Sequence, residues 1–179
     1  RMPTLQTWAK GEGVVWLTVL SSHPSRSDYL SGAQADAFNH QRGANPSALL
    51  IDASGSAGRA FGAMTANHMF IIVPDGTLVY EGGIDDSNSM QPDKVAASRN
   101  FVHAALRDIT AGRSVSTPRT EPFGCALAYA GRDLPTRRAN AFSPQGRSLL
   151  GAADARSSGA MPRPRRAFSV GAWPLICAS

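Results

Sequence analysis

The chain has 179 residues, a formal net charge of +5, 42% apolar residues and 7% aromatic residues. This length allows one domain with a real core, and no apolar run approaches the roughly 18 residues of a membrane span, so the sequence predicts no membrane-spanning segment. The two cysteines, Cys125 and Cys177, exclude a C-x-x-C motif, and their wide spacing gives no basis for a disulfide framework.

The first half of the chain alternates between helical and strand patterns. Apolar spacing over 2–10 predicts a helix, and the near-continuous apolar run 14–20 is typical of a strand buried in a parallel sheet. Ser31 and Gln34 have the spacing of a capping box, which opens a helix to about Arg42. A short strand over 48–52 and a short helix over 57–63 follow.

A β-hairpin is the clearest local prediction. Two apolar, β-branched runs within 68–83 flank Pro74, Asp75 and Gly76. Proline presets φ for the first turn position, aspartate bonds to its own backbone, and glycine tolerates positive φ.

The longest helical pattern runs over 92–111 and ends before Gly112. Helices and strands therefore alternate along the chain before and after the hairpin. This order predicts an α/β fold with a mixed sheet and flanking helices.

Periodicity disappears after about Tyr129, and the composition changes with it. Residues 131–179 carry eight arginines against two aspartates, whereas residues 1–130 are close to neutral. We expect the Arg/Ala/Pro/Gly/Ser-rich tail, 130–179, to be disordered, or to be an out-of-frame translation of GC-rich DNA. Nucleic-acid binding through Arg163, Arg165 and Arg166 is a weaker alternative, because no aromatic interleaving or fold motif accompanies them.

Several separate segments, in the same order along the chain, resemble the redoxin family of alkyl hydroperoxide reductases and thiol-specific antioxidant proteins. The resemblance spans roughly residues 2–129 and is carried by 13–22, 58–63, 68–83, 84–86, 99–102 and 122–125. It implies a thioredoxin-like fold for 1–129, with a reactive cysteine at the N-terminus of the first helix. Helix dipole and N–H groups would stabilise the thiolate there.

The chain departs from the family at both elements of that active site. It begins inside the first helix, so the first strand and the cysteine motif are missing from the sequence given. In the family this first strand lies centrally, between the strand at 14–20 and the hairpin. The family also places a cis-proline before the hairpin, where this chain has Thr65, Ala66 and Asn67. We expect a trans peptide at Asn67 and an altered substrate-facing loop.

The remaining candidate residues favour structural roles. Cys125 is a candidate accessory thiol, although a lone cysteine is usually a small hydrophobe. The four histidines lack metal-ligand spacing, so no metal site is predicted. Asp85 and Asp86 suggest turn roles rather than acid–base catalysis. The segment Gly55–Gly58 matches no phosphate-binding motif and is interpreted as a helix N-cap.

The resemblance implies a thiol-based oxidoreductase that reduces peroxides or exchanges disulfides, with a thiol reductant as partner and no cofactor. Because the reactive cysteine is absent, we expect the chain as given to be inactive. A non-catalytic redoxin-like binding module is the alternative. We expect a soluble protein without a membrane as partner, and nucleic-acid binding is the least favoured alternative. The compartment stays open because the chain begins with Arg1.

Overall fold

The computed structural model describes residues 2–89, 91–127 and 129, together with two strands at 147–148 and 168–172. The helices and strands are α1 Met2–Gly11, β1 Val15–Leu20, α2 Gly32–Gln41, β2 Ala48–Ile51, α3 Ser56–Phe61, β3 Met69–Ile72, β4 Thr77–Gly82, α4 Pro92–Ala97, α5 Phe101–Thr110, β5 Arg147–Ser148 and β6 Phe168–Ala172. The predicted α/β class is confirmed.

The strands form one mixed sheet in the order β2-β1-β6-β3-β4-β5. Strand β1 is parallel to both of its neighbours, β2 and β6. Strand β3 is antiparallel to both β6 and β4, and β5 pairs with β4 at the far edge. Parallel pairing of β1 agrees with its near-continuous apolar sequence.

The sheet differs from the sequence prediction at its centre. The tail was predicted to be disordered and the central strand to be missing, yet β6 comes from the tail and pairs with β1 on one side and β3 on the other. The physical reason is backbone hydrogen bonding, since β1 and β3 each present N–H and C=O groups that need partners. Apart from β5 and β6, residues 130–179 lie outside the described residues.

The hairpin forms as predicted, around Pro74, Asp75 and Gly76. Gly76 has φ +85°, and the Asp75 Oδ1 atom accepts a hydrogen bond of 2.8 Å from the Thr77 backbone N–H. The strand register shifts between Ile71 and Ile72. Because of this bulge, Tyr80 packs with the cluster of Ile71, while Leu78 packs with a second cluster that contains Phe70.

The helical pattern 92–111 is two helices rather than one, which corrects the sequence prediction. Helix α4 ends at Ala97 and α5 begins at Phe101. Asp86, which precedes the segment 92–111, stabilises the break, because its Oδ1 atom accepts a hydrogen bond from the Arg99 N–H. The Asn100 side chain caps α5 by accepting from the His103 N–H, at 2.8 Å.

Helices α1 and α5 cover one face of the sheet. Their buried side chains meet Trp16 of β1 and Met69 and Ile71 of β3 in one core cluster. On this face of the sheet, α1 and α5 therefore pack against both β1 and β3.

The predicted capping box of α2 is present, with the Ser31 and Gln34 side chains each bonded to the other's backbone N–H.

The hairpin turn gives a direct stability prediction. Gly76→Ala places a Cβ atom on a residue with φ +85°, and we expect a loss of about 1–2 kcal/mol in the free energy of unfolding. Chemical denaturation measures this loss. Gly11→Ala is the matched control, because a Cβ atom at Gly11 meets no atom within 4 Å. An equal loss in both variants would contradict the assignment of strain to the turn.

Candidate functional site

The candidate site lies where the central strand ends. Ala172, the last residue of β6, is paired with Val19 near the end of β1. Its neighbour Gly171 is paired with Met69, the first residue of β3. The loop 65–67, which the sequence analysis singled out, leads directly into β3 and therefore lies beside the exit of β6.

Asn67 gives this loop an unusual conformation. Its φ is +63°, in the left-handed region that asparagine tolerates better than most residues, and no cis peptide bond occurs among the described residues. The trans peptide expected at Asn67 is therefore confirmed. The Thr65 Oγ1 and Asn67 Oδ1 atoms are buried without a hydrogen-bond partner, a cost of about 1–3 kcal/mol for each such group.

The segment that contains Cys125 runs antiparallel to this loop. The Ala66 N–H donates to the Cys125 carbonyl and the Leu127 N–H donates to the Met64 carbonyl, both at 2.8 Å. Gly124 precedes Cys125 with φ +152°, and a Cβ atom there would overlap the Ala66 carbonyl. The close approach of the two backbones therefore requires glycine at this position.

Cys125 is half-buried and disulfide-bonded. The sequence makes it a candidate accessory thiol and predicts no disulfide, because the two cysteines are far apart in the chain. The other cysteine, Cys177, lies outside the described residues. An even number of cysteines was the one sequence signal for this bond.

His68 follows the loop as a buried, neutral side chain. Its Nδ1 atom accepts a hydrogen bond of 3.3 Å from the Met64 N–H, and its ring stacks on Phe70 at 4.4 Å between centroids. Burial, and secondarily the charge of Arg119, lowers the pKa of His68 to about 4. This environment suits a structural role for His68, since a neutral imidazole at pH 7 supplies no positive charge to a thiolate.

Asp52 organises the neighbouring edge of the sheet and was missed by the sequence analysis. It follows β2 and accepts hydrogen bonds from the Ser21 hydroxyl at 2.8 Å and the Gly58 N–H at 2.9 Å. Burial opposes ionisation of Asp52, but these hydrogen bonds, together with those from the Ala57 N–H and the Ser56 hydroxyl, hold its pKa below the usual value of 3.8. Asp52 thus joins β1, β2 and the start of α3.

This arrangement refines the interpretation of residues 55–58. Gly55 is the N-cap residue of α3, as expected, but it makes no side-chain capping bond, and Asp52 supplies the acceptor instead. Gly58 is required by space, because a Cβ atom there would overlap the Tyr129 hydroxyl and the Ser21 Oγ atom.

Tyr129 connects the same edge to the Cys125 segment. Its hydroxyl donates to the Ala63 carbonyl at 2.7 Å, and the Arg59 guanidinium lies 5.2 Å from the ring centroid. Burial, with a smaller effect of the Asp52 charge, raises the pKa of Tyr129 to about 12. The hydroxyl is therefore a permanent donor at neutral pH.

The other candidates take structural positions. Asp85 accepts hydrogen bonds from the Ser87 backbone and hydroxyl, and Asp86 accepts from the Arg99 N–H. Within the part of the chain that the structure describes, no group of three or more histidines, cysteines or carboxylates is placed to hold a metal ion. In that same part, every helix is too short or too polar to cross a membrane.

Comparison with known proteins finds solved structures of similar fold but no family. No protein-family model and no curated protein matches the sequence. The structure is similar to a hypothetical protein from Sinorhizobium meliloti 1021, with 23% identity, 73% of this chain and 72% of that chain covered, and a TM-score of 0.59. It is also similar to an uncharacterized conserved protein from Geobacillus kaustophilus, with 21% identity, coverages of 74% and 68%, and a TM-score of 0.62. At these identities the likeness shows the fold alone.

Asp52 makes the free energy of unfolding depend on pH in the acid range. Because its folded pKa is lowered, its contribution to stability is present above pH 4 and is lost as the pH falls through the folded pKa. We expect Asp52→Asn to reduce the free energy of unfolding by about 1–3 kcal/mol at pH 7. It should also flatten the loss of stability below pH 4, measured by urea denaturation across pH.

The matched control for this prediction is Asp36→Asn, which removes an exposed carboxylate from α2. We expect this variant to have the stability of the unmodified protein at pH 7 and the same loss of stability as the pH falls. If Asp52→Asn also loses stability steeply at low pH, other carboxylates cause the loss.

Proposed function

We propose that the chain is a thioredoxin-like domain of the redoxin type that performs thiol–disulfide exchange, with the disulfide at Cys125 as its redox group. One observation carries the proposal: Cys125 is disulfide-bonded and its carbonyl is hydrogen-bonded to Ala66, in the loop beside the exit of the central strand. The redoxin resemblance places the substrate-facing loop at this point of the chain.

The order of the strands supports this proposal. A redoxin-type sheet has its first strand between the strand that follows the first helix and the hairpin. Here β6 fills that position, parallel to β1 and antiparallel to β3. The C-terminal end of β6 therefore lies where the family has its reactive cysteine, although β6 comes from the other end of the sequence.

Thiol–disulfide exchange at this site balances without a cofactor. A dithiol reductant gives two electrons and two protons to the Cys125 disulfide and is itself oxidised to a disulfide. One protein thiolate then attacks a sulfur of the substrate disulfide and expels a substrate thiolate. The second protein thiol attacks the mixed disulfide, which restores the protein disulfide and releases the second substrate thiol.

A specific observation favours the second candidate, a non-catalytic redoxin-like binding module. The loop has Asn67 in place of the cis-proline, with a trans peptide and φ +63°. The loop that faces substrates in the family is therefore differently shaped here. A module of this kind would bind an extended peptide without exchanging electrons.

We expect the protein to accelerate the reduction of insulin by dithiothreitol, measured as turbidity of the precipitating B chain. Cys125→Ser removes the redox group and should reduce this acceleration to the uncatalysed rate. Ala37→Ser is the matched control, because it adds a hydroxyl at an exposed position of α2. A parallel assay of hydrogen peroxide consumption with the same reductant separates peroxide reduction from disulfide exchange.

Equal rates for the unmodified protein and Cys125→Ser would overturn the proposal. If both proteins also bind carboxymethylated insulin B chain with the same affinity, measured by fluorescence anisotropy, the binding module is the better account. If peroxide consumption depends on Cys125 and insulin is not reduced, the substrates are peroxides rather than disulfides.

A further inference from the structure

We infer that Phe123 is the residue through which the candidate site selects its substrates, and that these are uncharged segments of unfolded polypeptide with large apolar side chains. The inference rests on the proposed function, because it takes the loop 65–67 and the Cys125 segment as the site, and it adds the class of substrate. It concerns binding, so it requires no transfer of electrons.

Phe123 is an exposed aromatic side chain beside the site, with an exposed fraction of 45%. In the part of the chain that the structure describes, the two other exposed large apolar side chains both lie on β2, at the edge of the sheet. Phe123 lies two positions before Cys125 and directly before Gly124, which is in close contact with the Ala66 carbonyl group. An apolar surface is therefore exposed to water next to the loop.

The backbone on both sides of Phe123 is held by hydrogen bonds. Before it, the Thr120 N–H donates to the Glu81 carbonyl of β4 at 3.1 Å. After it, the Ala66 N–H donates to the Cys125 carbonyl at 2.8 Å. Because this backbone is ordered before a partner binds, contact with Phe123 costs little additional conformational entropy.

The two segments around Phe123 carry no charge. Within 63–67 and 122–127, Cys125 is the one ionisable residue of the sequence, and it is disulfide-bonded. The Thr65 Oγ1 and Asn67 Oδ1 atoms of the loop are buried. A charged partner would lose hydration here without gaining an opposite charge from these segments, whereas an apolar partner gains by removing Phe123 from water. The charge pattern therefore favours an uncharged, apolar partner.

Unfolded polypeptide is the class of substrate that supplies such a partner. Folding buries most large apolar side chains, and the surface of a folded protein rarely exposes a large contiguous apolar patch. A small peroxide has no apolar side chain that could cover Phe123. We therefore assign unfolded polypeptides as substrates, in preference to folded proteins and to small peroxides.

Fluorescence anisotropy with the full chain tests the inference. The probe is a short labelled peptide of glycine and serine with a central run of leucines, and the reference peptide has serines in place of the leucines. Neither peptide contains cysteine, so no thiol–disulfide exchange occurs. We expect the leucine peptide to bind at least 10-fold more tightly than the serine peptide, and Phe123→Ala to weaken its binding by roughly 10- to 30-fold.

Two further variants separate the apolar contact from other effects. Phe123→Leu keeps a large apolar side chain and should bind the leucine peptide within about threefold of the unmodified protein. Leu50→Ala is the matched control, because Leu50 is also 45% exposed but lies on β2, and it should bind the peptide with unchanged affinity.

Chemical-shift mapping of the unmodified protein requires no variant. Addition of the leucine peptide should shift the amide signals of 65–67 and 123–125 and leave those of β2 unchanged. Shifts confined to β2 would place the binding surface at the edge of the sheet and would overturn the inference.

Other results would also overturn it. These are equal affinities of the unmodified protein and Phe123→Ala for the leucine peptide, or equal binding of the two peptides. Dimerisation of the free protein that Phe123→Ala abolishes, measured by analytical ultracentrifugation, would show that a second copy of the chain covers Phe123 instead. The proposed function fails separately: if insulin reduction stays at the uncatalysed rate while the leucine peptide still binds through Phe123, thiol–disulfide exchange is rejected and this inference stands.

Discussion

Backbone pairing of β6 on both of its sides is the constraint on which the rest of the structure depends. Val170 is opposite Leu17 of β1 on one side and Phe70 of β3 on the other. Without this strand, a parallel pair and an antiparallel hairpin face each other with unpaired N–H and C=O groups along two buried edges. With it, the ends of three strands meet at one edge, and the candidate site forms there.

Two sets of hydrogen bonds position the site at that edge. Asp52 accepts hydrogen bonds from the Ser21 hydroxyl and the Gly58 N–H, which fixes the ends of β1 and β2 against α3. Pairing of Ala66 with Cys125 and of Met64 with Leu127 fixes the second segment against the loop. Tyr129 adds a bond to the Ala63 carbonyl. These hydrogen bonds hold the Cys125 segment in a fixed position beside the loop 65–67.

Local signals in the sequence predicted much of the fold. The Pro74-Asp75-Gly76 turn and the Ser31 capping box each depend on residues within a few positions, and both are present in the structure. The division of 92–111 into two helices was not predictable in this way, because it depends on the distant Asp86. Strand β6 was missed for a related reason: Ser169 and Gly171 give no strand signal, and its partners lie about 100 to 150 positions away.

For the candidate site too, features set by nearby residues were predicted, and features set by tertiary contacts were missed. Cys125 was found through a segment that resembles the redoxin family, and the loop 65–67 was found as a departure from that family. The sequence did not predict that the Ala66 N–H and the Cys125 carbonyl meet, nor that Cys125 forms a disulfide, because both depend on tertiary contacts. Asp52 was also missed, although an aspartate after a strand and before a Ser-rich helix start is a local signal for an N-terminal acceptor.

The most direct test of the central claim is the set of cross-strand nuclear Overhauser effects of Val170 in the oxidised full chain. Our account predicts contacts from the Val170 backbone protons to both Leu17 and Phe70, in the parallel and antiparallel patterns respectively. Random-coil chemical shifts for 168–172, or contacts to one neighbour alone, would contradict the account.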